Sequence, residues 1–143
     1  MHPVLPILNK HRFLQQVETG TTPNVLLFSV LAVAYRYVKP DNMQITIGND
    51  DFGAYLYKQI MTFLRCNASR TAIHIVQSNL LMALYLDLDD SDTESVQWYA
   101  LGNAIRMAQE LGLHRSSSNW EIPKSEIETR HRLFFACYIL DRW

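Results

Sequence analysis

Cysteine is scarce in this chain. Its 143 residues contain only Cys66 and Cys137, far apart, with no CxxC spacing and no nearby histidine pair, which excludes a disulfide framework and a chelated zinc site built from them. A reducing compartment is the default. Glycine is scarce as well, five residues and all scattered, so no loop can cradle phosphates through clustered backbone amides. Neither a GxSxG elbow, nor a local Cys and His signature, nor an HExxH pair is present, and catalysis is left only to residues scattered along the sequence. An excess of one charge is missing too. Thirteen Lys and Arg stand against fourteen Asp and Glu, for a net charge of −1 and a pI near 6.5, and phosphate backbones are bound by clustered basic residues in excess. The stretch from Lys124 to Arg142 is nearly balanced, with Lys124, Arg130, Arg132 and Arg142 set against Glu126, Glu128 and Asp141. The most apolar run, NVLLFSVLAVAYRYV at 24–38, falls short of the roughly 20 residues that span a bilayer. It reads as a buried helix. The N-terminus lacks the basic, apolar and small-residue order of a signal peptide.

What remains is the composition of one globular domain. Apolar residues make up 48% and charged residues 19%, and a chain of this length buries about two thirds of its unfolded surface. Pro3 and Pro6 favour an extended entry, and HRFLQQV follows as a short helix. Thr22 before Pro23 reads as an N-cap with proline in the first turn. After the 24–38 helix comes a polar linker, 39–49, whose MQITI is a candidate short strand. An amphipathic helix is expected over 50–65, with Phe52, Tyr55, Leu56, Ile60, Phe63 and Leu64 opposite Asp51, Lys58, Thr62 and Arg65. The second apolar helix, 71–88, carries His74, Gln77 and Ser78 along one narrow stripe. His74 reads first as a structural residue hydrogen-bonded to a neighbour, and alternatively as a ligand contact facing a cavity. Asp87, Asp89, Asp90, Asp92 and Glu94 form an acidic cluster, but positions six and twelve from Asp87 are Asp92 and Trp98, not the glycine and acid of a calcium loop. It reads as a solvated loop. Ser91 to Glu94 and Ser125 to Glu128 match the capping box, placing helices over 92–111 and 125–143. No internal repeat is present, although WYALGNAIRMAQEL has a tetratricopeptide flavour.

The stretch 97–115, QWYALGNAIRMAQELGLHR, read as a helix that stops near Leu111, sets Trp98, Leu101, Ile105, Ala108 and Leu111 on one face, widened by Ala100, Ala104 and Met107. Gly102, in its interior, implies a close approach by a neighbouring helix, because glycine there costs about 0.5 to 1 kcal/mol relative to alanine. Gly112 reads as the left-handed residue past the helix end, followed by His114 and Arg115 at the negative end of the dipole. In the last helix Glu126 and Arg130, and Glu128 and Arg132, are paired at the i, i+4 spacing in the favourable order. Asp141 is expected to make an inter-helix ion pair with one of Arg106, Arg130, Arg132 and Arg142. The alternative is that these arginines line a ligand pocket or a partner surface. LFFACYIL beyond Arg132 is apolar on every side, so the helix reads as cut, with apolar surface left exposed or covered by a partner.

Gly102, the run AIRMAQELGLHR with its Arg106, Gly112, His114 and Arg115, and then Glu128, Arg130, Arg132, Phe134, Tyr138, Asp141 and Arg142 resemble the fungal-specific transcription factor domain. That domain is the middle, regulatory region of fungal zinc-cluster transcription factors. The opening HPVLPIL is similar to its entry, so the resemblance extends over nearly the whole chain and is weakest over 40–71. His131 stands where the family often has a third arginine, and Phe135 where it often has tryptophan. The six-cysteine zinc cluster that binds DNA in the family is absent from this chain. Residues and resemblance together imply an all-α, single-domain array of some six helices around a buried central pair, 24–38 and 71–88, forming an N-terminal part of the domain. The resemblance further implies a nuclear protein regulating transcription, with DNA contacted through zinc bound upstream and no cofactor held here. Its partners would be the remainder of the regulatory domain, co-regulators or a small-molecule effector, a second copy in a homodimer, and no membrane. A helical interaction or dimerisation module without sensing is the alternative, and a small helical enzyme a more distant one.

Overall fold

The computed structural model of the chain describes residues 6–38, 46–86 and 94–142. Among them six helices follow in order: α1 (Lys10–Glu18), α2 (Asn24–Val38), α3 (Phe52–Cys66), α4 (Ile73–Leu86), α5 (Glu94–Glu110) and α6 (Lys124–Leu140). Between α2 and α3 two short strands, β1 (Thr46–Ile47) and β2 (Asp50–Asp51), pair antiparallel. The architecture is all-α, as the sequence implied. The acidic loop at 87–93, the Ser91 cap, residues 39–45 of the 39–49 linker, Pro3 and Trp143 lie outside the described residues.

The helix with the fewest charges makes the centre. Every residue of α4 from 75 to 83 is buried, and α4 packs against α2, α5 and α6. Its polar residues are bonded where they lie. Ser78 Oγ donates to the His74 carbonyl (2.8 Å) and Asn79 Nδ2 to the Ile75 carbonyl (2.9 Å), which removes most of the cost of burying them. Leu80, Val76 and Met82 anchor the main core with Leu56, Ile60, Ala104 and Leu133. A smaller cluster of Leu26, Val33 and Leu81, with Leu8 and Phe13 against it, seats α1 on α2 and α4. In α2 the inner face is small, with Ser29 and Ala32 fully buried, while Leu31 and Tyr37 face solvent. None of the described helices is long and apolar enough to cross a membrane.

The hairpin has a local cause. Gly48, at φ +66°, gives the glycine-first tight turn that matches strand twist. Tyr35 of α2 then donates to Asp51 (3.0 Å) and packs edge-on against Phe52 (ring centroids 5.3 Å). A two-residue strand therefore forms where the sequence showed mainly a linker.

Helix termini differ from expectation at two points. Thr22 Oγ1 is buried and accepts or donates no hydrogen bond among the described residues; the Pro23 carbonyl receives the Leu27 amide (3.0 Å) instead. At α6 the N-cap is Pro123, and no side chain caps it. Ser125 is already inside the helix, its carbonyl accepting from Thr129 Oγ1 (2.8 Å), because Pro123 fixes a backbone angle that starts the turn earlier. Glu128 turns to Arg132 rather than back to the cap.

In α5 the buried stripe is Ala100, Ala104, Met107 and Ala108, with Leu101, Ile105 and Leu111 partly buried beside it. Trp98 was expected on the inner face, yet it is 69% exposed, and Tyr99 is 64% exposed. Small side chains let α5 approach α4 closely, and indole bulk does not fit there. Gly102 corrects a second expectation. A methyl group placed on it would meet nothing within 4 Å, so no helix approaches it.

Candidate functional site

Gly112 closes α5 at φ +68°. The Leu113 amide donates to the Ala108 carbonyl (2.9 Å) and the Gly112 amide to that of Gln109 (3.0 Å), the paired bonds of a Schellman ending. Ala108 and Leu113, the two residues such an ending brings together, are both buried. The chain then turns through His114, whose ring packs against Phe134 (6.3 Å), and Arg115, whose side chain lies over Gly112. This turn and Trp120 frame an open depression of about 460 Å³, with Arg130 on its far wall.

Arg130 is the most constrained of the signature residues. Its guanidinium lies over the Trp120 ring (5.5 Å) and pairs with Glu126 Oε1 (3.2 Å), while Nε is buried without an acceptor among the described residues. An unmet buried donor costs about 1–3 kcal/mol. Arg130 also lines a second, narrower cleft of about 170 Å³ between α1, α4 and α6, one that Trp120 does not line.

Three helices furnish that cleft through their first two turns. From α1 come Arg12 and its N-cap Asn9, whose side-chain oxygen accepts the Arg12 amide (3.2 Å). From α4 come His74 and Gln77, one turn apart on the same face. Gln77 Nε2 donates to the Ile7 carbonyl (3.0 Å), fixing the entry to α1 over α4. Glu126, Thr129 and Arg130 of α6 complete the wall. Burial pushes the His74 imidazole below its usual pKa, so the ring is neutral at pH 7. Its nitrogens have no hydrogen-bond partner among the described residues. The structural reading of His74 called for a bonded ring; the structure places it in a cleft wall instead.

The remaining signature residues do not converge there. Arg106 and Gly102 lie on the outer side of α5. Arg132 bonds Glu128 one turn back, an exposed pair worth at most about 1 kcal/mol. Asp141 corrects the ion-pair expectation: it is exposed, caps α6 through its amide to the Cys137 carbonyl (3.0 Å), and has no arginine partner among the described residues. Arg142 lies over Tyr138 (4.4 Å) instead. Burial, reinforced by the Asp141 charge, pushes the Cys137 thiol up to about 12. Phe135 and Tyr138 are exposed on α6. Among the described residues no group of three or more His, Cys, Asp or Glu is placed to hold a metal ion.

Arg12, Asn9 and Thr129 were not singled out by sequence. The i, i+3 placing of His74 and Gln77 on an otherwise apolar helix, and the alternative that Arg130 lines a pocket, were the signals for the cleft.

Comparison with known proteins gives a consistent answer. The family model of the fungal specific transcription factor domain matches residues 1–143. The transcriptional activator protein DAL81 of Saccharomyces cerevisiae is 27% identical over 147 residues, covering 100% of this chain and 14% of that protein. Cutinase transcription factor 1 alpha of Fusarium vanettenii is 28% identical over 145 residues, covering 99% of this chain and 16% of that protein. The thiamine repressible genes regulatory protein thi1 of Schizosaccharomyces pombe is 26% identical over 131 residues, 90% of this chain and 16% of that protein. The chain thus spans well under a quarter of the length of these relatives. No solved structure matches.

Proposed function

The chain belongs to the fungal specific transcription factor domain family, and from that membership we propose that it serves as the regulatory region of a fungal zinc-cluster transcription factor. The observation that carries this reading is the family match across residues 1–143. In it, DNA contact, zinc and nuclear residence belong to the longer protein, and the helices described here modulate an activity exerted elsewhere in it. Regulation rather than catalysis fits relatives that are named as transcription factors. A signal acts by shifting an equilibrium between two arrangements of the helices: a small effector, a phosphorylation or a co-regulator stabilises one of them and unmasks the activating segment.

The test is a fusion of residues 1–143 between a heterologous DNA-binding module and a constitutive activating segment, assayed on a reporter in fungal cells. Expected is a reporter output several-fold different from that of a fusion carrying an inert helical spacer. Equal output from both fusions under every nutrient condition tried would sink the reading.

A second reading is an interaction or dimerisation module without sensing. The exposed Trp98, Tyr99, Phe135 and Tyr138 favour it, since aromatic rings are enriched at protein interfaces. Light scattering discriminates between the two. Stable self-association combined with an unresponsive fusion supports the second.

A further inference from the structure

The lining of the cleft between α1, α4 and α6 combines the apolar side chains of Leu8, Phe13 and Leu26 with Arg12, His74 and Arg130. We infer that this cleft is a binding site for a small organic monocarboxylate whose apolar body is about the size of one aromatic ring or a branched short chain.

Size comes first. The cleft measures about 170 Å³, close to the ~150 Å³ cavity that accepts benzene. Charge comes second. Two guanidiniums and one carboxylate line the space, and the lowered pKa leaves His74 neutral, so the lining carries one positive charge in excess. A monoanion cancels it. A neutral molecule leaves it uncompensated, and a dianionic phosphate overshoots it and sets a strongly hydrated group against Leu8 and Phe13. Donor capacity comes third. Arg12 has no ion-pair partner among the described residues, and Arg130 spends one terminal N–H on Glu126 and keeps the other terminal N–H donors of its guanidinium. Planar guanidinium forks match a carboxylate, and His74 adds one ring N–H beside them.

This inference deepens the effector arm of the proposed function and names its ligand class, but binding itself stands on the cleft alone. The experiment therefore contains no transcription step. The ¹⁵N-labelled 143-residue chain is titrated at pH 7 with benzoate, phenylacetate and 3-methylbutanoate, with benzamide as the same body without charge and acetate as the same charge without body. Expected are saturable amide shifts at Asn9, His74, Gln77 and Thr129 with at least one of the three acids, and affinities about tenfold or more weaker for benzamide and acetate. Arg12→Met, at an exposed position, should remove most of the binding without changing Tm. Arg115→Met, on the other depression, should leave it intact. Three results would each overturn the site: no saturable shift with any of the three acids, benzamide binding as tightly as benzoate, or undiminished binding by Arg12→Met. A filled cleft with an unresponsive reporter fusion would refute the regulatory reading and leave the site standing.

Discussion

Gly102→Ala and Gly112→Ala place the same methyl group in the middle of α5 and just past its end, and the structure assigns them opposite signs. At Gly102 the backbone is helical and the added carbon meets nothing within 4 Å. The substitution then acts almost wholly by restricting the unfolded chain and shielding the helix backbone, worth about 0.5–1 kcal/mol in favour of the folded state. Gly112 has φ +68°, and a methyl there also meets Arg115 Cδ at 3.4 Å. Holding an alanine in that conformation costs about 1–2 kcal/mol, the arginine being flexible enough to yield. Unfolding entropy of about 2.1 cal/mol/K per residue makes roughly 0.3 kcal/mol/K for a domain of this length, so the expected shifts are a rise of about 2–3 °C for Gly102→Ala and a fall of about 3–7 °C for Gly112→Ala. Calorimetry on the two variants, with urea titration to check that m is unchanged, measures both. A lower Tm for Gly102→Ala would refute the reasoning, since it would require a neighbour packed on that glycine. A neutral Gly112→Ala would dissolve the left-handed helix ending.

Further expectations concern single groups. Leu80, fully buried at the centre of α4, should cost about 2–5 kcal/mol on replacement by alanine; a loss under 1 kcal/mol in urea unfolding would displace α4 from the core. His74 has a folded pKa below its unfolded value near 6.5, so the unfolded chain binds more protons in that window. Stability should therefore fall as pH drops below about 6.5 and until the lowered pKa is passed. His74→Gln should flatten that part of the profile, and an unchanged slope would count against burial of the ring. At pH 8 a thiol reagent should label exposed Cys66 and spare Cys137, buried and raised to about 12, until denaturant is added. Mass spectrometry of the labelled peptides decides it. Asp141→Asn should change Tm by less than about 1 °C, because an exposed, unpaired carboxylate contributes little.

Some of this was readable in one dimension and some was not. The centre of the fold was legible because α4 is apolar on nearly every side, and burial is the only way to satisfy such a helix. Local chemistry was legible too: the i, i+4 pairs of Glu126 with Arg130 and Glu128 with Arg132 form as their spacing dictates, and Gly112 is left-handed. The rotation of α5 was not. Both of its faces carry apolar residues, so periodicity allowed Trp98 inward, and only the small space beside α4 decides for Ala100 and Ala104. Thr22 and Ser125 show capping motifs losing to the prolines beside them. The cleft was least legible of all. Its polar lining draws on Asn9 and Arg12, His74 and Gln77, and Glu126 to Arg130, three segments far apart in sequence whose meeting depends on how helices stack.

The way α1 is fastened has a kinetic consequence. No residue of that helix is itself buried, and what holds it is the bond from Gln77 to the Ile7 carbonyl together with Leu8 and Phe13 on a small apolar cluster. Helices secured so sparingly open on their own, far below the free energy of global unfolding. Amide hydrogens of α1 should therefore exchange with deuterium through a local opening insensitive to low denaturant, while those of α4 wait for the whole molecule to unfold. Gln77→Leu, which cuts the tether, should hasten exchange in α1 alone, and any molecule lodged beside Arg12 should slow it.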